Sequence, residues 1–179
     1  MEADWEFEIG GDAPIIDAAW SGFVDLRISP ARVDEIAEVA QFSGLRDALL
    51  RLNRPRSPVW TAKCDVWQPD EFDPDELNAK PEQAKHALAC YLDLLPRSNQ
   101  QWTLSHMVAQ SCDAWRTHLR GVSLSNCRAD FVIRRAWITP DLQDTGITAY
   151  LSACGPDLAA AHRALSAALA AVVDAIAPV

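Results

Sequence analysis

The chain has 179 residues and a mass of 19.7 kDa, the usual size of one domain, and its 49% hydrophobic and 23% charged residues are typical of globular proteins. Sixteen basic against 25 acidic residues give a formal charge of −9. Such a surface repels phosphate backbones and anionic headgroups, so we expect neither nucleic acid nor membrane as a partner.

The cysteines and the terminal segments bear on where the protein works. Five cysteines, an odd number without a Cys-x-x-Cys pair, favour reduced thiols over a disulfide framework. The first eleven residues lack the positive and apolar regions of a secretory signal. The apolar stretch from Leu158 to Val179 is interrupted by ionisable side chains. We therefore expect a cytoplasmic protein whose last helix belongs to its core.

The first part of the chain reads as two strands and a helix. Alternation of polar and apolar residues over Trp5–Ile9 predicts a strand that ends in a turn at Gly10–Asp12. A second strand is predicted over Trp20–Ile28, and the two are expected to pair as a hairpin. Apolar residues at helical spacing, with acids early and arginines late, predict a helix over Arg32–Leu52.

The middle of the chain repeats this order. Strict alternation predicts a strand over Trp60–Trp67, with Trp60 and Cys64 both facing the core. A return strand over His86–Leu95 alternates in the same way and predicts a second hairpin. Apolar residues three and four apart then predict a helix from Thr103 to Val122.

An insertion separates the two strands of this hairpin. It covers residues 68–85, and five of its carboxylates lie between Asp70 and Glu76. Such a run of acids is typical of a solvated loop or of a contact to a basic partner, and its role stays open.

The last part of the chain shows the same pattern a third time. Strands are predicted over Cys127–Ile138 and Gly146–Cys154, and a helix follows with an apolar stripe from Leu158 to Ile176. The chain therefore reads as strand-strand-helix units over residues of about 1–54, 55–124 and 125–179 within one domain, 1–179.

The units show an internal repeat. Phe23, Tyr91 and Tyr150 occupy equivalent places in the three return strands, and Lys63-Cys64-Asp65 aligns with Arg128-Ala129-Asp130. From Trp20 to Ile138 the element order is that of a ferredoxin-like sandwich. We predict an α+β two-layer sandwich, with a mostly antiparallel sheet of about six strands and three helices on one face.

Helices on one face leave a second sheet face, here called the helix-free face, that collects charges and rings. Aromatic walls with a few orienting charges are typical of small-molecule sites. We hypothesise that this face binds a small polar ligand or a partner, through Asp25, Arg27, Lys63, Asp65, Tyr91, Asp93, Arg128, Asp130 and Tyr150. Two other interpretations stay open: a solvated face laced with ion pairs, and the interface of a homodimer or larger homo-oligomeric assembly.

An enzyme is a further alternative. Asp65 or Asp93 would act as acid or base, and an anionic substrate would be held by Lys63, Arg128 or Arg134. The common hydrolase, nucleotide and dinucleotide motifs are absent from the sequence, and its cysteines lack metal-ligand spacing. We expect no metal and no cofactor.

Overall fold

A mixed sheet forms the middle of the molecule. The computed structural model describes residues 1–8, 14–18, 20–97 and 105–178. In these residues the strands lie in the order β1-β5-β6-β4-β3, and β2 also pairs with β5. The α+β class and the expected six strands are confirmed. The strands are β1 (Glu2–Phe7), β2 (Ile16–Asp17), β3 (Val59–Trp67), β4 (His86–Pro96), β5 (Cys127–Thr139) and β6 (Leu142–Gly155).

The helices follow the chain as α1 (Ala37–Gln41), α2 (Gly44–Leu52), α3 (Ser105–Arg120) and α4 (Leu158–Ile176), with short 3₁₀ helices at Pro30–Glu35, Asp75–Leu77 and Pro81–Gln83. The single helix predicted over Arg32–Leu52 is wrong. Its backbone becomes extended at Phe42, which buries its ring in the core, so the helical segments on either side are separate. The predicted start of α3 at Thr103 lies outside the described residues.

The predicted pairing of the first two strands is wrong. β1 instead runs parallel to β5, with Ala3 opposite Ala129, while Ile9 and the turn at Gly10–Asp12 lie outside the described residues. The segment Trp20–Ile28 is not a strand, because the Asp25 carboxylate accepts hydrogen bonds from the backbone N–H and the guanidinium of Arg27 and bends the chain into a turn.

The ferredoxin-like order is not confirmed. Such an order would require the segment Trp20–Ile28 between β5 and β4, and β6 lies there instead. A tight turn joins β6 to β5, so the two strands pair locally and β6 then pairs antiparallel with β4. The sheet is mixed, because β1 and β2 are parallel to β5.

One hydrophobic cluster joins one face of the sheet to α2, α3 and α4. Alternate residues of the central strands, such as Leu92 and Leu151, are fully buried in it. The expectation that Trp60 shares this face with Cys64 is wrong, because the β3–β4 register shifts between Thr61 and Lys63. This bulge turns Trp60 to the helix-free face.

Two smaller clusters cover the ends of the helix-free face. At one end, Ile16 and Ala18 pack with Trp60, Leu95 and Ala136. At the other end, the acidic insertion buries Leu77 and Ala79 against Ala87 and Cys154. The insertion is therefore a cover with an apolar underside, and neither of these two described clusters reaches the middle of the helix-free face.

The last helix, α4, is the one described helix long and apolar enough to cross a membrane by length and composition, with a mean hydropathy of 1.4. Here it packs on the sheet, with Leu165, Leu169 and Val172 buried. The Asp157 carboxylate caps its first turn by accepting the N–H of Ala160 at 2.7 Å.

We expect Phe131→Ala to lower the free energy of unfolding by about 3–5 kcal/mol, because the Phe131 ring is fully buried against Trp115 and its loss leaves a cavity. The matched control is Phe7→Ala on the neighbouring strand, where the ring is 41% exposed and the loss should stay within about 1 kcal/mol. Denaturant unfolding measures both, and equal losses would contradict this account of the core.

Candidate functional site

Most of the predicted site residues share the open middle of the helix-free face. Asp25 and Arg27 do not, because they form an ion pair of 2.7 Å in the turn after Trp20 and the Arg27 guanidinium lies 3.7 Å over the Trp60 ring. They belong to the cover at one end of the face. The predicted residues on the middle of the face are Lys63, Asp65, Tyr91, Asp93, Arg128, Asp130 and Tyr150, of which Asp93 is buried.

A row of aromatic side chains crosses the centre of this face. Tyr91 of β4 lies directly opposite Tyr150 of β6, with their ring centroids 6.0 Å apart. Trp67 extends the row, 6.3 Å from Tyr91. The tyrosine pair has an aspartate on each flanking strand: Asp65 of β3 lies opposite Tyr91, and Asp130 of β5 lies opposite Tyr150. The face is therefore symmetric in composition about the tyrosine pair.

A buried polar network lies in the next row. Asp93 is 6% exposed and accepts a hydrogen bond of 2.7 Å from the hydroxyl of Thr148. Arg134 in turn donates to the Thr148 hydroxyl at 3.1 Å and to the Tyr150 hydroxyl at 2.8 Å, and it forms an ion pair with Glu8. Every charged group in this network has a partner.

Burial raises the pKa of Asp93, while the Thr148 hydrogen bond and the charges of Arg134 and Lys63 oppose that rise. A carboxyl group with a raised pKa suits a general acid, but this one is almost wholly covered and already bonded. Asp65, the other proposed catalytic carboxylate, is exposed on the neighbouring strand. The two aspartates therefore lie in unlike surroundings.

The charges on the β5 side of the face are paired with each other. Arg128 and Asp130 form a bidentate ion pair, with N–O distances of 2.6 and 2.8 Å. Together with the Arg134–Glu8 pair, this leaves a cavity of about 420 Å³ beside Tyr150 with few charges free to bind a ligand.

A second cavity, the edge cleft, lies along the outer edge of β3 and has a volume of about 390 Å³. Pockets that hold small molecules are commonly ~300–1,000 Å³. Its floor is β3 from Thr61 to Asp65, together with Tyr91 and Leu49. One wall is formed by alternate residues of the segment that begins at Trp20, namely Trp20, Gly22, Val24 and Leu26. The other wall is formed by consecutive residues around the start of α1, namely Glu35, Ile36, Ala37 and Glu38.

The edge cleft displays charges that lack ionic partners among the described residues. No carboxylate oxygen lies within 4.0 Å of the Lys63 ammonium, which sits instead 5.2 Å from the centroid of the Trp20 ring. The Asp65 carboxylate accepts only the N–H of Val66, at 2.7 Å. The Glu38 carboxylate makes no hydrogen bond or ion pair within the described part of the chain.

Two neutral groups complete the edge cleft. Burial and the charges of Asp93 and Asp65 raise the pKa of Tyr91 to about 12, so its hydroxyl remains a hydrogen-bond donor at neutral pH. Burial, helped by Glu38, raises the pKa of the Cys64 thiol to about 12. Cys64 is therefore uncharged and poorly nucleophilic at neutral pH.

Of the residues that line the edge cleft, Lys63, Asp65 and Tyr91 are among the predicted ligand-binding residues, whereas Glu38 and Trp20 are not. Glu38 lies on a helix, and its local sequence pattern does not predict that it lines a cavity at the edge of β3. The cation–π contact of Trp20 arises only because its segment leaves the sheet. Among the described residues, no group of three or more histidine, cysteine or acidic side chains is placed to hold a metal ion.

Comparison of the chain with protein-family models, with curated proteins and with solved structures finds no match.

We expect Asp93→Asn to change how stability depends on pH. Because burial raises the pKa of Asp93 in the folded state, the unfolded chain loses this proton first, and the free energy of unfolding of the wild type falls as the pH rises through the folded pKa. The variant lacks this loss, so its stability relative to wild type should increase from acidic to neutral pH.

Denaturant unfolding at a series of pH values measures this difference. Asp65→Asn removes an exposed carboxylate from the same face and reports the effect of lost charge alone. A difference between Asp93→Asn and wild type that stays constant with pH would contradict a raised pKa at Asp93.

Proposed function

We propose that the protein binds a small polar ligand that carries both a positive and a negative group, and that the edge cleft is its site. The observation that carries this proposal is the set of oppositely charged side chains, Lys63 against Asp65 and Glu38, that open into one cavity without ionic partners in the described chain.

The chemistry of the edge cleft fits such a ligand. The Lys63 ammonium and the Tyr91 hydroxyl are donors for an anionic group, and the carboxylates of Asp65 and Glu38 are acceptors for a cationic one. Leu26 and other apolar wall residues bury the carbon skeleton. Hydrogen bonds to charged groups contribute roughly 1.5–3 kcal/mol each, so a few of them suffice for micromolar binding.

The edge cleft is favoured over the rest of the helix-free face because of what its charges already contact. On the β5 side, Arg128 is bonded to Asp130, and a ligand would have to break that pair. In the edge cleft, a ligand replaces water and the contact between Lys63 and Trp20. Binding in the edge cleft therefore costs less free energy than binding on the β5 side.

We also propose that β3, β4 and α3 repeat as β5, β6 and α4, as one unit used twice in a two-layer arrangement. The sheet register supports this, because Tyr91 lies opposite Tyr150. Lys63 is opposite Asp93 in one hairpin, and Arg128 is opposite Ser152 at the same place in the other. The position beside β5 is filled by β1, whereas the position beside β3 is the edge cleft.

We expect Asp65→Asn and Lys63→Gln each to weaken ligand binding by roughly tenfold or more, which corresponds to one lost charged contact. The first step is a thermal-shift screen of zwitterionic metabolites, beginning with free amino acids, because a ligand that binds only the folded state raises Tm. Calorimetric titration of the hits then gives Kd for each variant.

Asp130→Asn and Arg128→Gln are the matched controls, since they remove the same charges from the equivalent hairpin outside the edge cleft. They should leave Kd unchanged. Equal weakening by both pairs of variants would move the site away from the edge cleft, and a screen without any stabilising compound would count against ligand binding.

A further inference from the structure

We propose that the ligand of the edge cleft is an extended peptide segment, which adds to the sheet as a strand parallel to β3. An acidic side chain of the peptide faces Lys63, a basic one faces Asp65, and an apolar residue lies between them. This inference rests on the proposed function, because it names the class of ligand that the same cleft binds.

The backbone of β3 offers hydrogen-bonding groups along the edge cleft. Among the described strands, β3 pairs only with β4. The N–H of Val66 donates to the Asp65 carboxylate and the C=O of Ala62 accepts from the Trp20 indole, so both groups point away from β4. Because the hydrogen-bonding direction alternates along an antiparallel pair, the N–H and C=O of Cys64 point the same way, onto the floor of the cleft.

The side-chain contacts at this edge can be replaced by those of a bound strand. The exposed side chain of Asp65 bonds the N–H of its own neighbour Val66, a part-buried contact that a peptide carbonyl replaces when a strand is added. The Asp65 carboxylate is then free to pair with a basic side chain of the peptide. In the same way, an acidic side chain opposite Lys63 meets an ammonium without an ion pair among the described residues. Charge complementarity therefore defines the order acidic, apolar, basic.

The other edge of the sheet supplies the precedent for a parallel strand. β1 runs parallel along β5, with Glu2 opposite Arg128. Arg128 holds the place in its hairpin that Lys63 holds in the other, so an acid opposite Lys63 would take the register position that Glu2 takes opposite Arg128. The middle peptide residue would point with Cys64 toward Leu26 and Leu49, which explains the apolar position.

The test uses short synthetic peptides of about seven residues, long enough to span Thr61–Asp65 at roughly 3.3 Å per residue. The first contains Glu-Val-Lys flanked by threonines, and the second contains Lys-Val-Glu in the same flanks. Calorimetric titration into the full chain should show the first peptide binding at least tenfold more tightly. Tighter binding of the second would overturn the parallel assignment.

Methylation of single peptide nitrogens separates strand addition from side-chain binding. In a parallel pair, the backbone N–H of the peptide lysine donates to the C=O of Cys64, whereas the N–H of the valine points away from β3. N-methylation at the lysine should therefore weaken binding about tenfold, and N-methylation at the valine should not. Equal effects of the two methyl groups would overturn strand addition.

A protein variant with exchanged charges tests the pairing without changing the net charge. The double variant Lys63→Glu/Asp65→Lys should prefer the Lys-Val-Glu peptide by the same factor by which the wild type prefers Glu-Val-Lys. An unchanged preference would overturn the assignment of Lys63 and Asp65 as the discriminating residues.

Other results of these experiments separate peptide binding from the binding of a small ligand in the edge cleft, the proposal on which the peptide assignment rests. Binding of free amino acids without binding of either peptide would overturn the peptide assignment and leave the small-ligand proposal in place. The absence of binding by both classes would overturn both. A dimer in light scattering that Lys63→Glu dissociates would show a second copy on the β3 edge, and would also overturn the peptide assignment.

Discussion

At the centre of the sheet, the pairing of β4 with β6 sets which side chains of both hairpins share a face. Both strands alternate, and a shift by one residue would exchange the two faces of a strand. The burial of Leu92 and Leu94 on β4, and of Ile147 and Leu151 on β6, therefore holds one register. That register brings the tyrosines opposite each other on the helix-free face, and it joins the two hairpins into one sheet.

The same register determines where charge is tolerated. Asp93 falls opposite Thr148 and is 6% exposed, so its carboxyl group depends on the hydroxyl donor. Arg134 and Glu8 complete the network beside β1. The centre of the helix-free face is thus a second, polar region of packing, and exposed charge is displaced to its margins.

The two margins differ although their sequences are alike. Beside β5, Arg128 and Asp130 bond each other and β1 fills the edge. Beside β3, the ammonium of Lys63 lies against Trp20, Asp65 caps a backbone N–H, and no described strand pairs with the outer edge. The difference arises from the segment after Trp20, which bends away at Asp25 instead of pairing. An outer strand edge that pairs with no described strand, flanked by both charges, is the feature on which the binding proposal rests.

Local periodicity predicts the α+β class, the hairpins β3–β4 and β5–β6, the two long helices α3 and α4, and the side chains Lys63, Asp65 and Tyr91 on one face. Each of these follows from the spacing of apolar residues within one segment. The folded chain is needed to see that β1 pairs with β5, that β6 separates β5 from β4, that a bulge turns Trp60 to the other face, and that Glu38 lines the cleft at the edge of β3. Segments that are far apart in the chain compete to pair with the same strand edge. A local sequence pattern does not predict which segment pairs there and which edge stays unpaired.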